Sequence, residues 1–380
     1  MKRLECLDGL RGLLALYVML GHMAPFAALP GWMQNAVSHG GAAVDVFFML
    51  SGLVIAQSLL GFGGQATPFL IARAARIFPV FLPVFALAVA VEPWSCGFER
   101  MPWVGPDSAA RAICATIWPR GWLAEILAHL SMTHGLFPNG ILPDIWISFL
   151  GAAWSLSAEW QFYCVALLAS GGSRRLCGVL LGLAAAGAVW HLTAPEAWQF
   201  SRAFLPNKAH FFALGVASVP LVRGDKGAVG EYIWVLAACV AICALQNSPG
   251  KLLPPAVWTV CLGAQLRPGP AGWVLRNALV RYLGAISYCL YLVNEPIHKL
   301  EVIALSRLAD GNPALFTALW VPIAIGLPIL AAIWLHAKVE APALRWGRAL
   351  AGRPGDRRPP AGATQQVRTG LAPGKPAGFI

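Results

Sequence analysis

Arg11 and His22 stand eleven residues apart in LDGLRGLLALYVMLGHM, a run otherwise apolar enough to enter a membrane. Eleven residues make close to three helical turns, so on a helix both side chains leave one face, roughly 16 Å apart along the axis. An ionisable group at membrane depth is costly and marks a functional candidate. A neutral imidazole there can act as a general base. The structural alternative is a packed histidine with an arginine that snorkels to the surface. Asp45 enters the next apolar run, AAVDVFFMLSGLVIAQSL, at a depth where it is expected to meet His22. A carboxylate bonded to an imidazole holds its tautomer and makes it a better base. Asp is also a good helix N-cap, and the two roles are compatible.

Further along, ARAARIFPVF places Arg73 and Arg76 three residues apart on one helix face. Such a pair can grip phosphate oxygens bidentately, or simply flank a span on its cytoplasmic side. In WSLSAEWQFY, Glu159 falls near mid-membrane with Ser155 one turn away. A lone carboxylate at that depth needs a partner or a proton. Arg11 or an arginine of the third span is the expected partner. ISYCLYLVNEPI brings Ser287, Tyr288, Tyr291 and Asn294, and HAKVEAPALRW brings Glu340 and Pro342. Each of these alone can be glue between helices. Ser155, Tyr288 and Asn294 are the positions expected to face a substrate.

These side chains must be held by membrane helices. The 380-residue chain is 58% hydrophobic and only 12% charged. A soluble domain would need about twice that charged fraction. Apolar runs of spanning length recur throughout, so an all-α, polytopic transmembrane bundle is expected. About ten spans are predicted, at 10–27, 42–61, 77–92, 146–168, 176–193, 204–222, 231–247, 252–266, 282–303 and 315–337. Lys and Arg in the short loops concentrate on one side, which predicts both termini in the cytoplasm. The net charge of +11 therefore reads as topology, not as a nucleic-acid surface. Residues 93–145 form a long outer stretch, and 109–135 is expected to hold either an interfacial helix or a further span. Residues 1–346 are read as one transmembrane domain. Residues 347–380 are rich in Pro, Gly and basic residues and are read as a disordered cytoplasmic tail with weak attraction to anionic lipid. The nine cysteines include no CxxC pair and no metal-ligand spacing, so no metal is expected. Cys96 and Cys114 share the outer loop, where a disulfide is conceivable.

The order of the motifs is more specific than any one of them. Arg-x10-His is followed by DVFFMLSG, RxxRxxP, WSLSxExQFY, SYxLYLxxxP and ExP. This series, over residues 4–346, resembles the acyltransferase family 3 proteins, multispan membrane enzymes that O-acylate glycans and some other acceptors. The resemblance implies transfer of an acyl group, usually acetyl, from cytoplasmic acyl-CoA to a cell-surface or periplasmic carbohydrate at a bacterial inner membrane. It implies His22 as the catalytic histidine with Arg11 as its partner, Arg73 and Arg76 at the donor, and Glu159 as the acidic group of its motif. One departure stands out. The family often carries His where Asn294 stands, and Asn cannot shuttle a proton. The alternative of a different class is a proton-coupled transporter, since buried Arg, His and Glu also line carriers. Against it, the sequence shows no paired broken helices.

Overall fold

The computed structural model describes residues 4–94, 97–108, 110–111, 118–169, 171–246, 249–267 and 269–352. Among the described residues the architecture is helical, with one isolated bridge between Pro138 and Phe200 and no strand. The helices are α1 (Glu5–Met23), α2 (Gly31–Val37), α3 (Gly40–Gly61), α4 (Ala66–Val91) and α5 (Trp122–Leu130). They continue as α6 (Trp154–Leu168), α7 (Ser173–Thr193), α8 (Ala209–Arg223), α9 (Ala228–Leu245) and α10 (Leu253–Leu266). The last are α11 (Pro270–Leu275), α12 (Ala278–Ala309), α13 (Pro313–Leu335) and α14 (Ala341–Ala351). Local signals place several ends. Asn277 caps α12 and Asn312 caps α13, each side chain accepting from backbone N–H groups of the first turn. Gly224, at φ +78°, ends α8 in the left-handed conformation.

Every segment expected to span contains a helix, and six helical stretches are long and apolar enough to cross a membrane. The shorter helices α6, α8 and α10 have 15, 15 and 14 residues. The outer surface is strongly apolar, with Leu168 82% and Trp234 79% exposed. Apolar side chains at such density outside a helical bundle mean that lipid, not water, surrounds it. This is an integral membrane protein. Helix α5, within the predicted interfacial region, turns its amphipathicity inside out. Leu123 and Leu127 face outward, while Glu125 and His129 are buried. The conceivable Cys96–Cys114 disulfide falls on residues outside those described.

Two expectations change. Helix α4 begins at Ala66, well before the predicted 77, so Arg73 and Arg76 share a helix as expected but lie well inside it and not at its mouth. The predicted span 146–168 is helical only from its short 3-10 turn Gly151–Ala153 onward. Before it the chain is irregular, and Phe149 takes the left-handed φ of +60° although fully buried. Such backbone is tolerated at depth when protein groups satisfy it. Here Lys299 Nζ donates to the Phe149 carbonyl at 3.2 Å and the Ala152 N–H donates to Glu295 Oε2 at 3.1 Å. At the other end α14 is ordered through Ala351, and the rest of the predicted tail, 353–380, lies outside the described residues.

Two seams set the rotation of the central helices. A Cβ on Gly12 would lie 2.6 Å from the backbone nitrogen of Gly284, and one on Gly284 would lie 2.0 Å from the Asp8 carbonyl. Helices α1 and α12 therefore touch backbone to backbone, which only glycine permits. They run parallel, since Gly12 meets Gly284 and His22 meets Asn294, both 272 residues on. The second seam joins α3 to α8. A Cβ on Gly52 would meet the Phe212 carbonyl at 2.3 Å, and one on Gly215 the Met49 carbonyl at 2.0 Å.

Candidate active site

Arg11, Arg73, Arg76 and Glu159 gather around one cavity of about 470 Å³. Ser155, Tyr288, Tyr291 and Arg348 also line it. Four guanidinium groups and one carboxylate line it, and with Arg76 paired to Glu340 behind the lining an excess of positive charge remains, suited to a phosphorylated ligand. Arg348 was missed by sequence reasoning, which placed it in the tail. Its signal was helical spacing, because 340, 344 and 348 fall on one face at four-residue steps.

The two α4 arginines are not equivalent. Arg76 forms an ion pair with buried Glu340 and lies 5.0 Å from the centre of the Tyr288 ring. Glu340 ends a π-helical turn, His336–Glu340, that breaks the line from α13 to α14 and turns the carboxylate inward. It also accepts from His336 Nδ1 at 2.8 Å and Cys289 Sγ at 3.1 Å. Arg73 is far less engaged. Its Nη2 reaches Ser58 Oγ at 3.4 Å, and its Nε is buried with no hydrogen-bond partner among the described residues. Glu159 does not form the expected arginine ion pair among the described residues. Its Oε1 accepts from Ser51 Oγ at 2.9 Å and from Tyr163 OH at 2.7 Å. Hydroxyls from α3 and α6 are nearer than any guanidinium, so Arg11 and Arg76 act on it through space.

His22 is half-buried and is not among the residues lining this cavity. Its Nδ1 lies 2.7 Å from Asn294 Oδ1. The Asn294 amide donates both of its protons to backbone carbonyls, Leu290 O at 2.8 Å and Tyr291 O at 2.7 Å. Its oxygen can therefore only accept, and His22 Nδ1 must carry the proton. That leaves the lone pair of a neutral imidazole on Nε2. Tyr291, one turn before Asn294, lines the cavity and hydrogen-bonds Ser155 at 3.0 Å. The cavity thus ends one helical turn short of the asparagine that orients the histidine. Tyr288 lines the cavity as expected, with its OH donating to the Ile77 carbonyl at 2.7 Å.

Asp45 does not meet His22. It is buried and pairs with Lys208 Nζ at 2.6 Å. The reason is rotation. Asp45 is two turns before Gly52 on α3, so it shares the face pressed against α8 and points away from α1. Lys208, just before α8, was also missed. Its only signal was a lone cation entering an apolar helix.

A further cluster lies beside Asn294. Lys299 Nζ contacts Glu92 Oε2 at 2.6 Å and Glu295 Oε1 at 3.4 Å. Glu295 in turn holds the N-terminal turn ahead of α6 and interacts electrostatically with His22. The group braces the segment of α12 that carries Asn294. Outside the spans, His129 and His134 stack with ring centres 4.2 Å apart. Burial pushes His129 down to about 4 and holds His134 well below the usual histidine range, so both are neutral.

Comparison with known proteins adds an independent line. The model of an acyltransferase-domain family, acyltransferase family 3, matches residues 4–337. Acyltransferase MdmB of Streptomyces mycarofaciens is 28% identical, over 90% of this chain and 92% of that protein. An O-acetyl transferase of Shigella phage Sf6 is 25% identical over 43% of this chain and 45% of its own length. Protein 2 in the picA locus of Rhizobium radiobacter is 38% identical over 23% of this chain and 46% of its own length. No solved structure matches.

Proposed function

The chain belongs to acyltransferase family 3 and is a membrane enzyme of acyl transfer, and from that premise we propose the donor, the acceptor and the reacting atom. The donor is cytoplasmic acyl-CoA, most simply acetyl-CoA. The acceptor is a hydroxyl of a cell-surface or periplasmic carbohydrate, and the membrane is a bacterial inner membrane. The observation that carries this reading is the arginine-lined cavity, with Arg73 held only by a long bond to Ser58 among the described residues, that ends one turn from the His22–Asn294 pair. Arg73, Arg348 and Arg11 hold the phosphates of coenzyme A. The pantetheine arm, comparable in length to the roughly 16 Å from Arg11 to His22, carries the thioester inward.

In the reaction, His22 Nε2 takes the proton of the acceptor hydroxyl as its oxygen attacks the thioester carbonyl carbon. The carbon–sulfur bond breaks, and the coenzyme A thiolate leaves with the proton returned from Nε2. Asn294 keeps the lone pair on the correct nitrogen throughout. Glu159, with Ser51 and Tyr163 as donors, balances the arginines of the chamber.

Purified protein incubated with radiolabelled acetyl-CoA and glycan acceptor is expected to release free coenzyme A and label the glycan. A labelled histidine trapped by acid quench would overturn the general-base route in favour of a covalent carrier. Arg73→Ala is expected to raise the apparent donor KM about tenfold, roughly 1.4 kcal/mol of binding. Arg76→Ala is expected to act mainly on stability, because it strands Glu340. Equal donor KM values for wild type and Arg73→Ala would end the phosphate-clamp assignment.

A further inference from the structure

Away from the cavity, Cys239 and Cys243 lie four residues apart on α9, so both thiols leave one face of that helix. Opposite them stands His210, the second residue of α8. The two Sγ atoms and a ring nitrogen of His210 all lie within 4.8 Å of one another. All three side chains are fully buried. Neither ring nitrogen of His210 has a hydrogen-bond partner among the described residues. A buried imidazole with both nitrogens unused loses its hydration and gains nothing in return.

We propose that His210, Cys239 and Cys243 bind a single thiophilic metal ion, Zn²⁺ or Cu⁺, which ties α8 to α9. Two thiolates and an imidazole are soft donors that select these ions and exclude Mg²⁺ and Ca²⁺. Around one zinc, with Zn–S of about 2.3 Å and Zn–N of about 2.0 Å, ligand atoms sit roughly 3.3–3.8 Å apart. Small side-chain rotations close the present set to that spacing. Binding replaces two thiol protons by the ion and gives one His210 nitrogen a partner.

The role of this site is structural. None of its three residues lines the arginine cavity. Helix α8 is the partner of α3 across the Gly52–Gly215 seam, and α3 carries Ser51 to Glu159. An ion joining α9 to α8 stiffens the wall behind the site without touching a substrate.

The test uses full-length protein purified in detergent under reducing conditions. It is loaded with Zn²⁺, Co²⁺ or Cu⁺, desalted, and its metal measured per chain by mass spectrometry. Wild type is expected to hold one ion per chain. With Co²⁺ it should show sulfur-to-metal charge transfer and the visible bands of a low-coordinate thiolate site. A Cys239→Ser/Cys243→Ser double variant is expected to lose the ion, while Cys177→Ala, at a buried cysteine elsewhere, keeps it. Where the double variant does not insert, Cys243→Ala is a milder change and should weaken binding at least tenfold. The melting temperature should rise with metal in wild type and not in the cysteine variants. Substoichiometric metal in wild type, unchanged metal in both cysteine variants, or a Cys239–Cys243 disulfide in the reduced preparation would each overturn the proposal.

Discussion

The α1–α12 seam and the α3–α8 seam are built alike and used differently. Each brings two helices into backbone contact through facing glycines, and each carries one polar pair toward one end. In the first seam the pair is His22 with the uncharged amide of Asn294, and the second ring nitrogen of the half-buried histidine has no hydrogen bond among the described residues. In the second it is Asp45 with Lys208, a buried ion pair in which each charge answers the other. A neutral hydrogen bond orients a reactive atom without consuming it. A buried ion pair consumes both partners and mainly penalises its own disruption. On the proposed function, the first seam carries chemistry and the second architecture.

The largest expected effect separates the two directly. His22→Ala should lower acyl transfer by about 10²–10⁴-fold, the usual loss of a general base, with little change in detergent melting temperature. Asp45→Asn should keep most of its turnover. If Asp45→Asn proved as inactive as His22→Ala in a folded protein, the division between the seams would collapse.

Next comes stability. Lys208→Met strands a buried carboxylate and should destabilise by about 3–5 kcal/mol, whereas Asp45→Leu/Lys208→Met should recover most of that loss. Unfolding in denaturant reads both variants. Failure of the double variant to recover would give the ion pair a role beyond mutual neutralisation.

A methyl group forced into either seam tests the glycines. Gly12→Ala and Gly215→Ala should each cost about 1–3 kcal/mol by overpacking. The outcomes should diverge in kinetics. Gly12→Ala moves His22 relative to Asn294 and should lower kcat, and Gly215→Ala should spare it. The smallest effect is expected for Asn294→Ala. Loss of the tautomer-fixing bond should cost about 1–2 kcal/mol in the transition state, roughly tenfold in kcat at unchanged donor KM. A kcat equal to wild type would show that His22 needs no orientation from α12.

Most of the participants in this site were legible in the sequence, but their pairings were not. Arg11, Arg73, Arg76, Glu159, Ser155 and Tyr288 do surround one cavity. Each betrayed itself as a polar residue in an apolar run, which is a local signal. Asp45 betrayed itself in the same way and was assigned the wrong partner. Depth along the membrane can be counted from residue number, but rotation about the helix axis depends on what the helix packs against. Arg348 and Lys208 were overlooked because a cation near the end of an apolar run looks the same whether it faces water or a cavity. His210 and the Cys239–Cys243 pair, 29 and 33 residues apart, carry no metal-ligand spacing at all. Only the packing of α8 on α9 assembles them.

Composition and periodicity alone therefore determined that this is a helical membrane protein, and the order of its motifs determined its family. Both are read from neighbours along the chain, where apolar content and a 3.6-residue repeat suffice. The tertiary structure alone decided that Asn294 and not Asp45 holds His22, that Glu340 occupies Arg76, and that Arg73 keeps a nitrogen unpartnered among the described residues. Those choices rest on ångström-scale helix approach and helix rotation, set by glycines more than 100 residues apart in the chain.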